Sequence, residues 1–251
     1  MIADQVDKYM DLIEKSLKQI QDRKALIQRF QLDLLRTREL HRYFNYDQFM
    51  ELANKNLIKI LILRGLPPLI KSPHYHVSLP WATFASNSFS VVKIRGCDLG
   101  PEINSKFPCL RVLSLTFVKL DEEIIDSLLA NCPLLETLTL QLEYYDDYCA
   151  HELCNLAKIK LRNLPKLKKA TIGGVDKMEI ESLDHIQVIV LHCKSGPYDI
   201  GDEKLINLVC CDSIKELRLY SMFRKQYIQD LVAKLPNLET LTYHILSRKG
   251  L

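Results

Sequence analysis

Phe107-Pro-Cys-Leu110-Arg-Val-Leu113-Ser-Leu115-Thr-Phe-Val118-Lys-Leu120 is the stretch whose reading decides the fold. Its apolar residues fall at steps of three, two, three and two. The alternation of Leu113 and Leu115 is that of a strand with one buried face. The same apolar-x-x-apolar-x-apolar signature returns at Leu135-x-x-Leu138-x-Leu140 and again from Ile27, Leu57, Phe89, Leu156, Leu167, Ile186, Ile214 and Leu238. The ten starts span 211 residues in nine steps, a mean of about 23. Asn-Cys-Pro-Leu-Leu-Glu-Thr-Leu-Thr-Leu (131–140) is echoed by Leu-Pro-Asn-Leu-Glu-Thr-Leu-Thr-Tyr (235–243).

A strand signature at this period predicts a leucine-rich-repeat array: an α/β solenoid, curved, with a parallel sheet on the concave side. Phe89-x-x-Val92-x-Ile94-x-x-Cys97-x-Leu99 follows the extended repeat consensus. The return segments carry helix signals. Asp121 stands before the helical spacing of Ile124, Ile125, Leu128 and Leu129, and Asn131-Cys132-Pro133 stops it. Tyr227, Ile228, Leu231, Val232 and Leu235 repeat that logic before Pro236. Two steps are irregular. Leu156 to Leu167 is too short for a helix and predicts a tight return at Asn163-Leu164-Pro165. Leu57 to Phe89 carries Pro67, Pro68, Pro73 and Pro80 and predicts a long loop, pinned by Tyr75, Trp81 and Phe84.

Ahead of the repeats, Val6, Tyr9, Met10, Ile13, Leu17 and Ile20 form one helical stripe. The expected organisation is a capping helix over residues 1–24, then about ten repeats over 25–251. A second short helix is expected over Asp47–Asn56, with Phe49, Met50 and Ala53 inward.

Apolar residues make up 47 % of the chain, ample for a continuous core, and the net charge of +3 is small for a dedicated nucleic-acid binder. Residues 1–11 hold Asp4, Asp7, Lys8 and Asp11 and do not read as a secretory signal. No apolar run is long enough for a membrane helix. The eight cysteines are then expected as free thiols in a reducing compartment, the cytoplasm or nucleus.

The order of an amphipathic helix, Ala25-Leu-Ile-Gln-Arg-Phe-Gln-Leu32, then repeats with Phe107-Pro-Cys-Leu-Arg-Val-Leu-Ser-Leu115 and Asn131-Cys-Pro-Leu-Leu-Glu136, resembles the leucine-rich-repeat region of plant F-box/LRR proteins. The resemblance covers nearly the whole chain. It implies substrate recognition for a cullin-based ubiquitin ligase. An F-box would bring a Leu-Pro start and a tryptophan, and residues 1–30 contain neither proline nor tryptophan. The F-box is therefore expected to be missing from this stretch, and the FBD module of many relatives from the other end. The alternatives are a truncated or stand-alone binder or competitor, and a receptor for a small anionic ligand.

Such arrays bind on the strand-lined concave face, where signature positions 3, 5 and 7 point. Reading these positions off gives nine basic residues, Arg29, Lys59, Lys93, Arg95, Lys158, Lys160, Arg162, Lys169 and Arg218, against Asp33 and Glu216. The densest expected cluster is Lys158, Lys160, Arg162 and Lys169 on adjacent strands. With Lys93, Arg95, Arg218 and Tyr220 these form the candidate ligand site, for a protein or peptide that is acidic or phosphorylated. A solvated strand face is the ordinary alternative. Leu61 and Leu63 are either an apolar subsite or covered by the proline-rich loop.

Chemistry finds little support. Cys149-x-His151-x-x-Cys154 lacks a second ligand pair with zinc-site spacing. The seven histidines accompany no nucleophile elbow and no His-Glu-x-x-His. Gly173-Gly174 lacks the rest of a phosphate loop and reads as a turn after Ile172. The 158–169 basic cluster holds no aromatic residue on which a base could stack. The expectation is a binding module that is not an enzyme, with no cofactor, no metal, no membrane and no nucleic acid.

Overall fold

The computed structural model describes residues 28–33, 58–65, 78–79, 88–96, 98–99, 106–118, 120–142, 158–175, 177–181, 183–192, 206–209, 212–220 and 225–244, with residues 8, 11–13, 15–16, 18–19 and 22. In chain order the elements are β1 (Arg29–Asp33), β2 (Ile60–Arg64), β3 (Ser78–Leu79), β4 (Val91–Arg95), β5 (Asp98–Leu99), β6 (Val112–Thr116), α1 (Glu122–Ala130), β7 (Thr137–Gln141), β8 (Lys158–Leu161), β9 (Lys169–Gly173), β10 (Lys177–Glu181), β11 (Val188–His192), β12 (Ile206–Val209), β13 (Glu216–Tyr220), α2 (Lys225–Val232) and β14 (Thr240–His244).

Nine strands form one sheet in the order β1-β2-β4-β6-β7-β9-β11-β13-β14. Each pairs in parallel with its predecessor, and signature positions stand in register: Leu113 opposite Leu138, Leu138 opposite Ala170, Ile189 opposite Leu217. The sheet thus advances one repeat at a time, as the period requires.

Several of the described repeats open with the same short turn. The Leu110 amide donates to Phe107 O, Leu135 to Cys132 O, Leu167 to Leu164 O and Leu238 to Leu235 O, at 3.1–3.2 Å. Pro108, Pro133, Pro165 and Pro236 follow the turn's first residue, where proline's fixed φ suits a type I turn. The next two amides of the chain then bond the preceding repeat. Those of Glu136 and Thr137 both reach Arg111 O, at 2.8 and 2.9 Å.

Between these strands lies a second layer. Helix α1 returns the chain from β6 to β7, and α2 returns it from β13 to β14. The Asp121 side chain caps α1 by accepting from the Ile124 amide at 2.8 Å, and Ile124, Ile125, Leu128 and Leu129 are its buried face. Strands β8, β10 and β12 are the returns of the repeats between the helices, and they pair with one another in a separate three-stranded parallel sheet. The core lies between the layers: Leu138, Leu140 and Ile172 from the long sheet share one apolar cluster with Leu128, Ile159, Leu161 and Ile180 from the returns. The sequence of Leu110, Leu113, Leu115, Val118 and Leu120 is buried throughout.

Three expectations change. The signature from Leu156 belongs to β8, a return strand, so the long sheet has nine strands where ten were expected. The stretch from 156 to 167 is short because it holds no repeat of its own. Second, the repeat assigned to Leu57 begins at Ile58: Leu61 stands opposite Val92 and Leu63 opposite Ile94, and all three of Ile58, Leu61 and Leu63 are buried. The unbroken run Ile60-Leu-Ile-Leu63 fits either face, and a slip by one residue turns every side chain over. Third, the long return before Phe89 contains β3, which pairs with β5. The Asp47–Asn56 helix and Tyr75, Trp81 and Phe84 lie outside the described residues. At the N-terminus Lys8, Asp11, Leu12, Ile13, Lys15, Ser16, Lys18, Gln19 and Asp22 are helical, and Ile13 packs against the core while Leu12 is exposed.

Candidate functional site

The side of the long sheet turned away from the core presents positions 3, 5 and 7 in three rows. The position-7 row runs Asp33, Arg64, Arg95, Thr116, Gln141, Gly173, His192, Tyr220, His244. The position-5 row runs Gln31, Ile62, Lys93, Ser114, Thr139, Thr171, Val190, Arg218, Thr242. Of the candidate residues, Lys93, Arg95, Lys169, Arg218 and Tyr220 lie on this open face.

Lys158, Lys160 and Arg162 do not. Lys158 and Lys160 are on β8 in the return layer, and exposed Arg162 follows it directly. Their neighbour is β10, where Glu179 stands opposite Lys160 and its Oε1 lies 2.6 Å from Lys158 Nζ. The Lys158 amide also donates to Glu122 Oε1 of α1 at 3.1 Å. The expected four-residue cluster with Lys169 is therefore divided between two layers, because an alternating apolar pattern suits a strand in either. Lys59 moves as well. With the repeat starting at Ile58 it takes position 2, while Ile60, Ile62 and Arg64 take positions 3, 5 and 7, where Ile62 is buried and Arg64 exposed. Leu61 and Leu63 are core residues and form no subsite.

What remains on the open face is six cations, Arg29, Arg64, Lys93, Arg95, Lys169 and Arg218, against Asp33 and Glu216. Arg218 Nε is held by Glu216 Oε1 at 2.5 Å, a contact that raises the guanidinium pKa further. Arg64 lies 3.7 Å from Asp33. Lys93 and Arg95 are exposed and stand side by side with Ser114 and Thr116. Arg95 is placed over the Phe117 ring, 5.1 Å from its centroid. Phe117 adopts φ 53°, the position-8 conformation that Gly96 and Gly174 share at φ 69° and 81°, and so turns its ring under the neighbouring strand's guanidinium.

At the other end three rings stack in consecutive repeats. His192 and Tyr220 have centroids 4.5 Å apart, Tyr220 and His244 4.6 Å apart, with interplanar angles of 11° and 8°. Burial pushes the His192 pKa down and favours its neutral form. Gly173 beside it is obligatory, since a Cβ there would lie 2.9 Å from His192 Cβ. The signal for this ladder was in the sequence as ring residues at position 7 of three successive repeats.

A column at position 2 also went unread. Glu136 receives Arg111 at 2.7 Å and Lys168 at 2.9 Å, and Lys215 meets Glu239 at 2.8 Å. The Lys168 hydrogen bond first, and then that of Arg111, lowers the Glu136 pKa. Cys132, expected as a free thiol, is one: it lies in the core with its Sγ 3.1 Å from Leu128 O, and burial pushes its pKa up to about 12. Such a thiol is inert as a nucleophile. Among the described residues no group of three or more His, Cys, Asp or Glu is arranged to hold a metal, and no helix is long and apolar enough to cross a membrane. Cys149, His151 and Cys154 lie outside the described residues.

The family profile described as FBD-associated F-box protein At5g56370, LRR repeats, matches residues 47–195, more than half of the chain. No curated protein and no solved structure matches it. Repeats of this kind form binding surfaces, in keeping with the open sheet face. By its repeat pattern and by this match, the chain belongs to the leucine-rich-repeat family of the FBD-associated F-box proteins.

Proposed function

We propose that this chain is a protein-recognition module whose partner lies on the open face of the nine-stranded sheet. The array is read as a curved solenoid with the N-terminal helix, residues 1–24, as its cap and residues 25–251 as its repeats. In the setting of an F-box protein it would select substrates for an SCF-type ubiquitin ligase. The single observation that carries the reading is the continuous face of three side-chain rows bearing six cations against two acids. A surface of that sign attracts an acidic or phosphorylated segment, and arginine pairs bidentately with carboxylate or phosphate. Lys93 and Arg95 are the leading contacts, with Lys169, Arg218 and Tyr220 farther along the face. Binding of an array of acidic and phosphorylated peptides, measured against uncharged versions, tests this. The expected result is salt-sensitive binding lost in the double variant Lys93→Glu, Arg95→Glu. Equal binding by that variant would remove the site.

A further inference from the structure

The two edge strands of the long sheet differ. Among the described residues β1 stands at one end and β14 at the other. Strand β1 carries charge along its exposed side: Arg29 donates to Gln31 and Gln31 to Asp33, at 2.9 and 2.8 Å. Charged side chains of this kind blunt a sheet edge. Strand β14, Thr240-Leu-Thr-Tyr-His244, carries no lysine, arginine, aspartate or glutamate. Its core-side residues Leu241 and Tyr243 are exposed, whereas their counterparts in β1, Phe30 and Leu32, are partly buried against the core. The backbone of β14 alternates sides. The Thr240 amide donates to Lys215 O of the preceding repeat at 2.9 Å. In a parallel pair one residue turns its N–H and C=O to the neighbour, and the next turns both away. Thr240, Thr242 and His244 therefore bond towards β13, and Leu241 and Tyr243 point their amides and carbonyls to the other side. Tyr243 keeps a further interaction within its own chain, so Leu241 is the principal residue of this edge.

We infer that β14 is a self-association edge, at which a second copy of this chain lays its own β14 antiparallel about a two-fold axis through Thr242. The strand suits itself. Centring the pair on Thr242 sets Leu241 opposite the partner's Tyr243, and both residues point their backbone groups across the seam. They form the closely bonded kind of antiparallel pair, and Thr242 meets the partner's Thr242 in the non-bonded kind. Leu241 and the partner's Tyr243 lie on the core side, where an aliphatic–aromatic cross-strand pair is favourable. No lysine, arginine or carboxylate of the strand meets its own copy, whereas a strand of net charge would repel itself. A two-fold axis normal to the sheet also leaves both open faces on one side. Pairing of β14 with β1 of a second copy would instead run head to tail and grow without closure. Five residues per copy form a seam smaller than a standard interface of about 1,200 Å², so the dissociation constant is expected on the order of tens of micromolar.

Sedimentation velocity of the full chain from about 5 to 500 µM tests this. The expected result is a shift with concentration from a 29.1 kDa species to twice that mass and no further. Leu241→Lys should weaken the association at least about tenfold, since the dimer would bury the ammonium. Two single variants, Thr242→Cys and Thr240→Cys, fix the register under oxidised glutathione. At position 242 the two Cα atoms would lie about 4.5 Å apart, within reach of a disulfide. At position 240 the two copies would be about 14 Å apart, too far for one. Thr242→Cys should therefore give a cross-linked dimer on a non-reducing gel, and Thr240→Cys, which shares the native cysteines, should not. Each variant is first checked by circular dichroism, and if Leu241→Lys fails that check the cysteine pair decides. A monomer at every concentration overturns the inference and leaves the proposed function standing. Species that keep growing beyond the dimer, or equal cross-linking at positions 240 and 242, overturn it as well.

Discussion

Asp121 shows how much a single side chain can decide here. It accepts from the Ile124 amide and opens α1 where the helical spacing begins. Replacing it by alanine should cost about 1 kcal/mol, measured as a lower urea midpoint with an unchanged slope. An unchanged midpoint would mean the cap adds nothing. His192 makes a pH-dependent contribution. Burial lowers its pKa, so the folded state favours the neutral ring. The stabilisation is therefore complete above the unfolded histidine pKa of about 6.5 and is lost as pH falls below it. Thermal melts from pH 7.5 to 5 should show a fall that shrinks in His192→Phe. A fall of the same size in the variant would place the titration elsewhere.

At the scale of elements, the outcome turned on whether a pattern had one solution. Helix α1 was legible in full because a capping residue, a 3.6-residue period and a stop all point to the same boundaries. Strand β2 was not, because its unbroken apolar run satisfies both registers, and the choice belongs to its pairing with β4. Strand β8 reads like any strand of the long sheet. It leaves that sheet because β7 and β9 pair directly, and its own partner is β10. The candidate site divides with it. Lys160→Glu, in the return layer, should leave binding of an acidic peptide within a factor of about two, since a screened surface charge in another layer acts weakly. Lys93→Glu should remove most of that binding. If the two variants weaken the same peptide equally, the assignment of the site to the open face is wrong.

Across the whole molecule, stability comes from stacking each repeat on the next, and β14 is the last strand of the long sheet among the described residues. Strand β14 pairs with β13 in register, yet Leu241 and Tyr243, at positions that are buried in the long-sheet strands from β2 to β13, are 45 % and 36 % exposed. Strand Thr240–His244 also carries no lysine, glutamate or proline, the residues that commonly blunt a sheet edge. Leu241→Lys should therefore lower concentration-dependent association, read by sedimentation velocity, while leaving the melting temperature within a few degrees. Association that is unaffected by the charge would show that this edge is not the surface involved.

The repeat, its strand signature, the α1 boundaries and the identity of most core positions were determined by the sequence alone. Each depends on residues close together in the chain and on the plain requirement that apolar side chains be buried. Lys93, Arg95, His192, Tyr220 and His244 were present in that reading too, at their position numbers, and Arg64 was not, because the register of β2 differs from the one expected. Only the tertiary structure decided which layer a strand entered, which face of β2 turned outward, and which charges met. The physical reason is that strand pairing is a contact between distant segments. Lys158 reads as a free cation beside Lys160 in the chain, and becomes half of an ion pair once β10 brings Glu179 alongside.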